Sequence, residues 1–179
     1  MILLARHGET QENKDRRFQG QKDVPLNDRG REQARELAER AAQEPIAALY
    51  TSPLIRARET ADIVGAKLGL EPREDDRLKE VDVGAWEDRL KDDVERDEPE
   101  AWAAFRAAGD TFRFPQGESF AEQQERVIAA LVDITQRGDL PALVVCHRGV
   151  VRCAFAHTHR RGLESYHDWK VPNAELIRL

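Results

Sequence analysis

The chain has 179 residues, a length typical of a single domain that buries its own hydrophobic core. Hydrophobic residues make up 40% and charged residues 35% of the chain, as in water-soluble globular proteins, and the formal net charge is −6. No apolar run reaches the roughly 20 residues that span a bilayer, and no basic run of the kind that binds nucleic acid is present.

Further features of the sequence concern the cellular compartment, the cysteines and one acidic stretch. The N-terminal apolar run is too short for a signal peptide, so we expect a cytoplasmic protein that binds neither membranes nor nucleic acids. The two cysteines, Cys146 and Cys153, are too few for a disulfide framework. Residues 71–100 hold fourteen Asp or Glu and six Lys or Arg, which predicts a solvated helical surface.

Short apolar runs alternate with helical patterns along the chain. Four runs predict buried strands: Ile2–Ala5, Ile46–Tyr50, Ala142–Cys146 and Glu175–Leu179. Three segments predict capped helices: from Asn27 or Asp28 to about Gln43, from Ser52 as N-cap and Pro53 in the first turn to a stop at Gly69, and from the Ser119–Glu122 capping box to about Gln136. This alternation favours an α/β fold with a mainly parallel central sheet flanked by helices.

The stretch 88–115 differs from the rest of the chain. It is polar, yet it contains four aromatic residues, Trp102, Phe105, Phe112 and Phe114. We predict that it is a helical insertion over one end of the sheet, within one domain that covers residues 1–179.

Polar side chains collect directly after three of the predicted strands. Arg6 and His7 follow the first strand, Arg56 lies shortly after the second, and His147 and Arg148 follow the third. Ligands of open parallel sheets bind beyond the carboxyl ends of the strands, so we expect these side chains to form one cationic site. An anion is the natural ligand, and phosphate suits the bidentate fork of arginine.

The motifs around these residues resemble those of the histidine phosphatase superfamily, also called phosphoglycerate mutase-like. The resemblance covers nearly the whole chain and is closest to the small bacterial phosphatases. It rests on Arg6-His7-Gly8-Glu9-Thr10, Ser52-Pro53-Leu54-Ile55-Arg56-Ala57, Leu78-Lys79-Glu80 with Gly84-Ala85-Trp86-Glu87, Pro115-Gln116-Gly117-Glu118-Ser119, His147 and Pro172-Asn173.

The resemblance implies a three-layer fold and a catalytic role for five residues. His7 is expected to be the nucleophile that takes the phosphoryl group, and Glu80 the proton donor to the leaving oxygen. Arg6, Arg56 and His147 are expected to surround the oxygens of the transferring group.

The same resemblance implies a substrate-binding role for further residues near the first strand and the second histidine. These are Gly8, Thr10, Asn13, Gln19 and Arg148. Neither a metal ion nor another cofactor is expected, because arginine and histidine supply the positive charge. The 88–115 insertion is expected to cover the active site.

The function that the resemblance implies is that of a histidine acid phosphatase-type phosphomonoesterase. The expected substrate is a small phosphorylated metabolite, hydrolysed through a phosphohistidine with inorganic phosphate as a product, by a monomer or homodimer. The chain departs from the family's pattern at Arg148 and Asp88, where glycine is usual. Arg148 therefore either contacts the substrate or points to solvent, while Asp88 is expected to change only a turn.

Three alternatives remain open. A cofactor-dependent phosphoglycerate mutase is the first, although the chain lacks the Arg-His-Tyr-Gly run that mutases carry after the catalytic glutamate. A non-catalytic member that binds a phosphorylated ligand is the second. A cysteine-dependent phosphatase is the third, because Cys146, Gly149 and Arg152 fit the C-x-x-G-x-x-R pattern of its phosphate loop.

Overall fold

The computed structural model describes all 179 residues. Five strands form one mixed sheet in the order β3-β2-β4-β1-β5. All pairs are parallel except β1 with β5, which confirms the mainly parallel sheet. The strands are β1 (Ile2–Arg6), β2 (Ala48–Thr51), β3 (Pro72–Glu74), β4 (Ala142–Cys146) and β5 (Leu176–Arg178).

Seven α-helices and three short 3-10 helices accompany the sheet. The α-helices are α1 (Gln11–Lys14), α2 (Asp28–Ala41), α3 (Ile55–Leu68), α4 (Lys91–Asp97), α5 (Pro99–Ala107), α6 (Phe120–Gln136) and α7 (Arg148–Thr158). The 3-10 helices are Asp76–Leu78, Gly84–Trp86 and Leu163–Ser165. None of the helices combines the length and apolar character that a membrane crossing requires.

The alternation of side chains along β1 produces the three layers. Leu3 and Ala5 pack on one face with buried residues of α2 and α3, including Leu37 and Val64. Ile2 and Leu4 point to the other face, where they join the larger core built with α6 and α7. Successive side chains of a strand point to opposite faces, so five apolar residues in a row predict a strand covered on both sides.

The structure differs from the prediction in the start of one helix and in one additional strand. Helix α3 begins at Ile55 rather than at Pro53, because Ser52 is turned toward His147 and the backbone N–H of Ile55 is capped by Asp23 Oδ1 at 2.9 Å. Strand β3 is absent from the predicted strands, since a half-buried proline followed by two exposed charged residues gives no apolar signal.

The acidic stretch 71–100 is only partly the helical surface that its composition predicts. It contains β3, two 3-10 helices, α4 and the first residues of α5. Several of its carboxylates pair with arginines, as Asp75 does with Arg77 and Glu98 does with Arg89. Local pairing satisfies these charges without a continuous helix.

The 88–115 stretch forms α4 and α5 and then returns to the core. Phe112 and Phe114 are buried, and both pack with Phe105 and Trp86 in one aromatic cluster. Aromatic burial of this kind anchors a polar segment that has few other apolar residues.

Candidate active site

The register of the sheet brings the two motif histidines together. Arg6 pairs with Cys146 across the parallel strands β1 and β4, and His7 and His147 are the next residues of their chains. Their rings lie side by side, with centroids 5.2 Å apart. The expectation that both strand ends deliver their polar residues to one edge therefore agrees with the structure.

His7 is held as a neutral base with one ring nitrogen available. Its Nδ1 lies 2.7 Å from the carbonyl oxygen of Gly8, which can only accept a hydrogen bond. The ring proton of the neutral form therefore sits on Nδ1, and the lone pair lies on Nε2. Burial, and next the charges of Arg56 and Arg6, hold the pKa of His7 well below its usual range.

Arg6 and Arg56 are buried cations beside His7. Arg6 donates from Nη1 to the carbonyl of Val171 at 3.1 Å, and Arg56 donates to the carbonyls of Gly20 and Lys22 at 2.7 and 2.8 Å. Burial lowers the pKa of Arg56 to about 10 and holds the pKa of Arg6 well below its usual range. Arginine side chains stay protonated in proteins, so we treat both groups as cations. Backbone carbonyls fix their positions without neutralising the charge.

His147 is fully buried behind this pair, at the N-cap of α7. Its Nε2 lies 2.8 Å from Ser52 Oγ, which itself accepts the N–H of Leu54 at 3.3 Å. The Ser52 hydroxyl can donate its proton to Nε2, and in that tautomer the ring proton of His147 lies on Nδ1. Burial, followed by the charge of Arg56, holds the pKa of His147 well below its usual range.

Three buried side-chain nitrogen atoms at this site have no hydrogen-bond partner in the protein. They are the Nε atoms of Arg6 and Arg56 and the Nδ1 atom of His147. Buried donors without partners are rare, because each costs about 1–3 kcal/mol of desolvation. Their concentration around one histidine indicates a site that is complete only when an anion is bound.

Glu80 is the one carboxyl group that lines the same cleft. Its Oε2 accepts the N–H of Gly149 in the first turn of α7 at 3.2 Å, and its Oε1 accepts Gln123 Nε2 at 3.1 Å. Arg126 donates to the Glu80 carbonyl at 3.0 Å and thereby holds the backbone of the loop. The carboxyl group is positioned by α6 and α7 rather than by the strand that precedes it.

The predicted neutral donors divide into two groups. Asn13 and Gln19 line the cleft, and their side-chain oxygens are occupied by partners within the protein, which leaves each NH2 group available for a ligand. Thr10 is fully buried, and its hydroxyl donates to Gln19 Oε1 at 3.0 Å. Gly8 lies against the backbone of Gly30, where a Cβ would clash. Neither Thr10 nor Gly8 contributes to the lining of the cleft, so both act on its geometry from behind.

The cleft above His7 is open to solvent, and the empty space in and directly above it amounts to about 620 Å3. Most predicted site residues line it: Arg6, His7, Asn13, Gln19, Arg56, Glu80 and Arg148. The lining also contains residues that were not among the predicted site residues, including Lys91, Phe105, Arg152 and Tyr166. Lys91 and Phe105 come from the 88–115 stretch, which therefore forms part of the wall.

The structure argues against Cys146 as a nucleophile. The residue is fully buried as the last position of β4, and burial strongly raises the pKa of its thiol. The thiolate that attacks phosphorus in cysteine-dependent phosphatases is therefore not available here. The C-x-x-G-x-x-R match is a coincidence of composition.

The sequence matches the model of the histidine phosphatase superfamily (branch 1) over residues 2–179. Its relatives include a probable phosphoglycerate mutase GpmB of Enterobacter sp. (strain 638), 42% identical over 80% of this chain and 67% of that protein. A protein of the same name from Serratia proteamaculans (strain 568) is 39% identical over 99% of this chain and 83% of its own length.

Solved structures of similar proteins share the fold. A mycobacterial glucosyl-3-phosphoglycerate phosphatase in complex with VO3 has a TM-score of 0.90 and 28% identity, covering 98% of this chain and 90% of that one. YhfR of Bacillus stearothermophilus has a TM-score of 0.90 and 32% identity over 98% and 88%. The alpha-ribazole phosphatase of Shigella flexneri has a TM-score of 0.86 and 28% identity over 98% and 87%. The chain thus belongs to the histidine phosphatase superfamily.

Proposed function

We propose that this protein is a phosphomonoesterase that hydrolyses a small phosphorylated metabolite through a phosphohistidine at His7. The observation that carries the proposal is the neutral His7 ring, whose Nε2 is unprotonated beside two buried guanidinium groups. A neutral imidazole is the nucleophilic form, and the cations stabilise charge on a transferring phosphoryl group. The names of the solved relatives, which include phosphatases for two different substrates, support the reaction class.

In the first step His7 Nε2 attacks phosphorus as the bond from phosphorus to the leaving oxygen breaks. The leaving alkoxide takes a proton from Glu80, so an alcohol departs and a phosphohistidine remains. Arg6, Arg56 and the Nδ1–H of His147 donate to the equatorial oxygens of the phosphoryl group.

In the second step a water molecule attacks the phosphorus atom of the phosphohistidine. Glu80, now a carboxylate, takes a proton from that water, and the bond between phosphorus and His7 Nε2 breaks. Inorganic phosphate leaves, and both His7 and Glu80 return to their starting states. Each step is stabilised by the same fixed donors, which need no rearrangement between the two transfers.

The charge needed for phosphoryl transfer is supplied by side chains. The chain brings no three His, Cys, Asp or Glu residues together in an arrangement that would hold a metal ion. We therefore expect hydrolysis to continue in EDTA. A reversible loss of activity in EDTA that a divalent ion restores would contradict the metal-independent mechanism.

The experiment that tests the proposal is hydrolysis of p-nitrophenyl phosphate in EDTA by the wild type, His7→Ala and Cys146→Ser. His7→Ala is expected to lose about a thousandfold or more of the rate, as removal of a nucleophile does in other covalent enzymes. Cys146→Ser is the matched control, a conservative change next to the site, and it is expected to retain activity. Circular dichroism of each variant verifies that the fold is intact.

Retained activity in His7→Ala would overturn the mechanism, and loss only in Cys146→Ser would favour a thiolate enzyme. An inactive wild type that still binds inorganic phosphate in calorimetry would favour the non-catalytic reading.

A cofactor-dependent phosphoglycerate mutase is the second candidate, favoured by the name of the curated relatives. The two activities differ in what accepts the phosphoryl group from the phosphohistidine: water in a phosphatase, phosphoglycerate in a mutase. Incubation with 3-phosphoglycerate and a catalytic amount of 2,3-bisphosphoglycerate separates them. Release of inorganic phosphate supports the phosphatase, whereas formation of 2-phosphoglycerate without phosphate release supports the mutase.

A further inference from the structure

Four further cations line the cleft, and none has a role in the proposed transfer. Arg17 donates from Nη1 to the backbone carbonyl of Asp88 at 2.7 Å, and the other three lie on α4 and α7. Lys91 is the first residue of α4, Arg148 the first residue of α7, and Arg152 lies one turn further along α7. We call these three residues the rim cations. All three are half-buried and line the same cleft as His7.

None of the rim cations pairs with a carboxylate. The ion pairs of the protein lie outside the cleft. Arg152 donates to the carbonyl of Trp169 and contacts the ring of His167, both at 3.2 Å, and Lys91 Nζ lies 5.5 Å from the ring centre of Phe18. These neutral contacts leave the charges of Arg152 and Lys91 uncompensated, and Arg148 makes no side-chain hydrogen bond or ion pair within the protein.

The rim cations also repel one another and the inner site. Arg148 and Arg152 are four residues apart on one helix, a spacing at which like charges destabilise. Burial, and next the charge of Arg148, lower the pKa of Lys91 to about 8, which shows that its ammonium group is both desolvated and surrounded by positive charge. An arrangement of this kind is unfavourable in the empty protein, and it becomes favourable when an anion enters.

A single phosphoryl group does not account for these charges. A phosphomonoester carries about two negative charges at neutral pH, and Arg6 and Arg56 already balance them. Glu80, the one acidic residue of the lining, faces Gly149 and Gln123. The rim cations and Arg17 therefore remain in the cleft as an excess of positive charge.

We propose that the rim cations bind a second anionic group of the substrate. The inference rests on the proposed function and narrows its substrate class to phosphomonoesters that also carry a carboxylate or a second phosphate. Phe18, Phe105 and Phe114 line the same cleft and offer an apolar surface to the carbon chain between the two anionic groups. Arg148, which replaces a usual glycine, is the residue that connects the inner site to the rim.

Three substrates with the same primary alkoxide leaving group test the proposal. They are n-propyl phosphate, 3-phosphooxypropanoate and 1,3-propanediol bisphosphate, which add no second charge, a carboxylate and a phosphate, respectively. The wild type is expected to show a kcat/KM about tenfold or more higher for at least one doubly anionic substrate than for n-propyl phosphate, as one charged hydrogen bond provides. The better of the two identifies the second group.

Variants locate the preference on the rim. Arg148→Gln and Lys91→Gln are each expected to reduce the ratio of the two kcat/KM values about tenfold, while Arg35→Gln leaves it unchanged. Arg35 is a matched control, because it is an exposed arginine of α2 outside the cleft. Ionic strength is held constant, since long-range charge effects are screened by salt.

A wild type that hydrolyses all three substrates equally would overturn the proposal and leave the phosphatase function intact. A preference that survives in both rim variants would also overturn it. If the wild type hydrolyses none of them, calorimetry with butylphosphonate and 4-phosphonobutanoate decides. Tighter binding of 4-phosphonobutanoate that depends on Arg148 would support the second anion site while the hydrolase proposal fails, and equal binding would reject both.

Discussion

The inner site and the rim of the cleft are both cationic, yet they are built in different ways. The inner residues follow strands β1 and β4 or lie in the first turns of α3, and buried hydrogen bonds fix them. Both Nη atoms of Arg56 donate to backbone carbonyls, for example. Arg148 on the rim makes no side-chain hydrogen bond and no ion pair within the protein and is half-buried.

This difference suggests a division of roles, in which the inner residues carry out phosphoryl transfer and the rim residues select the substrate. Side chains held by the sheet cannot move without breaking buried hydrogen bonds, so the geometry of phosphoryl transfer is insensitive to what happens at the rim. Rim residues come from the first turn of α7 and from the 88–115 stretch, which can change with little cost to the sheet. The comparison predicts large effects on turnover from changes that disturb the inner site.

Gly149→Ala is expected to give the largest effect after loss of the nucleophile. A Cβ at this position would collide with Glu80 Oε1, Gln123 Nε2 and Tyr166 Oη. Glu80 would be displaced from the N–H of Gly149, and we expect kcat to fall about a hundredfold or more, since misplacing a catalytic group by about 1 Å has that effect. Steady-state kinetics on an alkyl phosphate measures the loss.

The melting temperature of Gly149→Ala provides a second measurement, and it is expected to change in the direction opposite to that usual for helices. Within a helix, glycine to alanine normally stabilises by up to about 1 kcal/mol. Here the crowded Cβ is expected to lower the melting temperature instead. A variant that is more stable than the wild type and fully active would mean that Glu80 has another position available.

Gln123→Leu is expected to have a smaller effect, because Gln123 positions Glu80 without touching the substrate. Its Nε2 donates to Glu80, and its Oε1 accepts hydrogen bonds from Tyr166 Oη at 3.3 Å and from Cys153 Sγ at 3.6 Å. Loss of this fully buried amide should reduce kcat about tenfold with little change in KM. The reduction should be larger for alkyl than for aryl phosphates, because only poor leaving groups require the proton from Glu80.

Gln124→Leu provides the matched control on the next residue of α6. Gln124 donates to the backbone carbonyl of Cys153 at 3.2 Å and has no contact with Glu80. Its replacement should leave the dependence on leaving group unchanged. Equal losses on alkyl and aryl substrates in Gln123→Leu would show that the amide supports the fold rather than the proton donor.

The inner site could be predicted from the sequence, because its residues follow apolar runs that read as strands. His7 and His147 come directly after β1 and β4, and parallel pairing brings such positions to one edge. Ser52 was predicted to cap a helix, whereas it bonds to His147 instead. That contact joins residues 95 positions apart, and no local pattern encodes it.

The rim could not be predicted in the same way. Lys91 and Arg152 lie on helices whose orientation depends on tertiary packing, and a charged residue on a helix normally predicts a solvated face. Only Arg148 gave a signal, as a departure from the usual glycine. Asp88, the other departure, has a φ of 66°, a left-handed conformation that glycine adopts easily and that aspartate tolerates. Its contacts extend beyond the turn that the sequence predicted it to affect, because its carboxylate pairs with Lys22 at 3.0 Å and its carbonyl accepts a hydrogen bond from Arg17 at 2.7 Å.

The smallest expected effect is on the pH dependence of stability. The pKa values of His7 and His147 lie well below 6.5, chiefly because of burial. The unfolded chain takes up protons near pH 6.5 that the folded chain does not, so the free energy of unfolding must fall as pH drops below that value. Each such histidine adds up to about 1.4 kcal/mol per pH unit to the slope of the unfolding free energy against pH.

His167, which contacts Arg152 at the rim, is expected to add to this slope, because burial lowers its pKa to about 4. Urea unfolding of the wild type between pH 7.5 and 5.5 measures the total slope of the unfolding free energy against pH. His7→Asn should reduce this slope by nearly the amount that corresponds to one proton. His159→Asn, at an exposed position, is the control and should leave the slope unchanged. If His7→Asn had the wild-type slope, the imidazole would not be held neutral, and the distinction between a fixed inner site and an adaptable rim would lose its electrostatic basis.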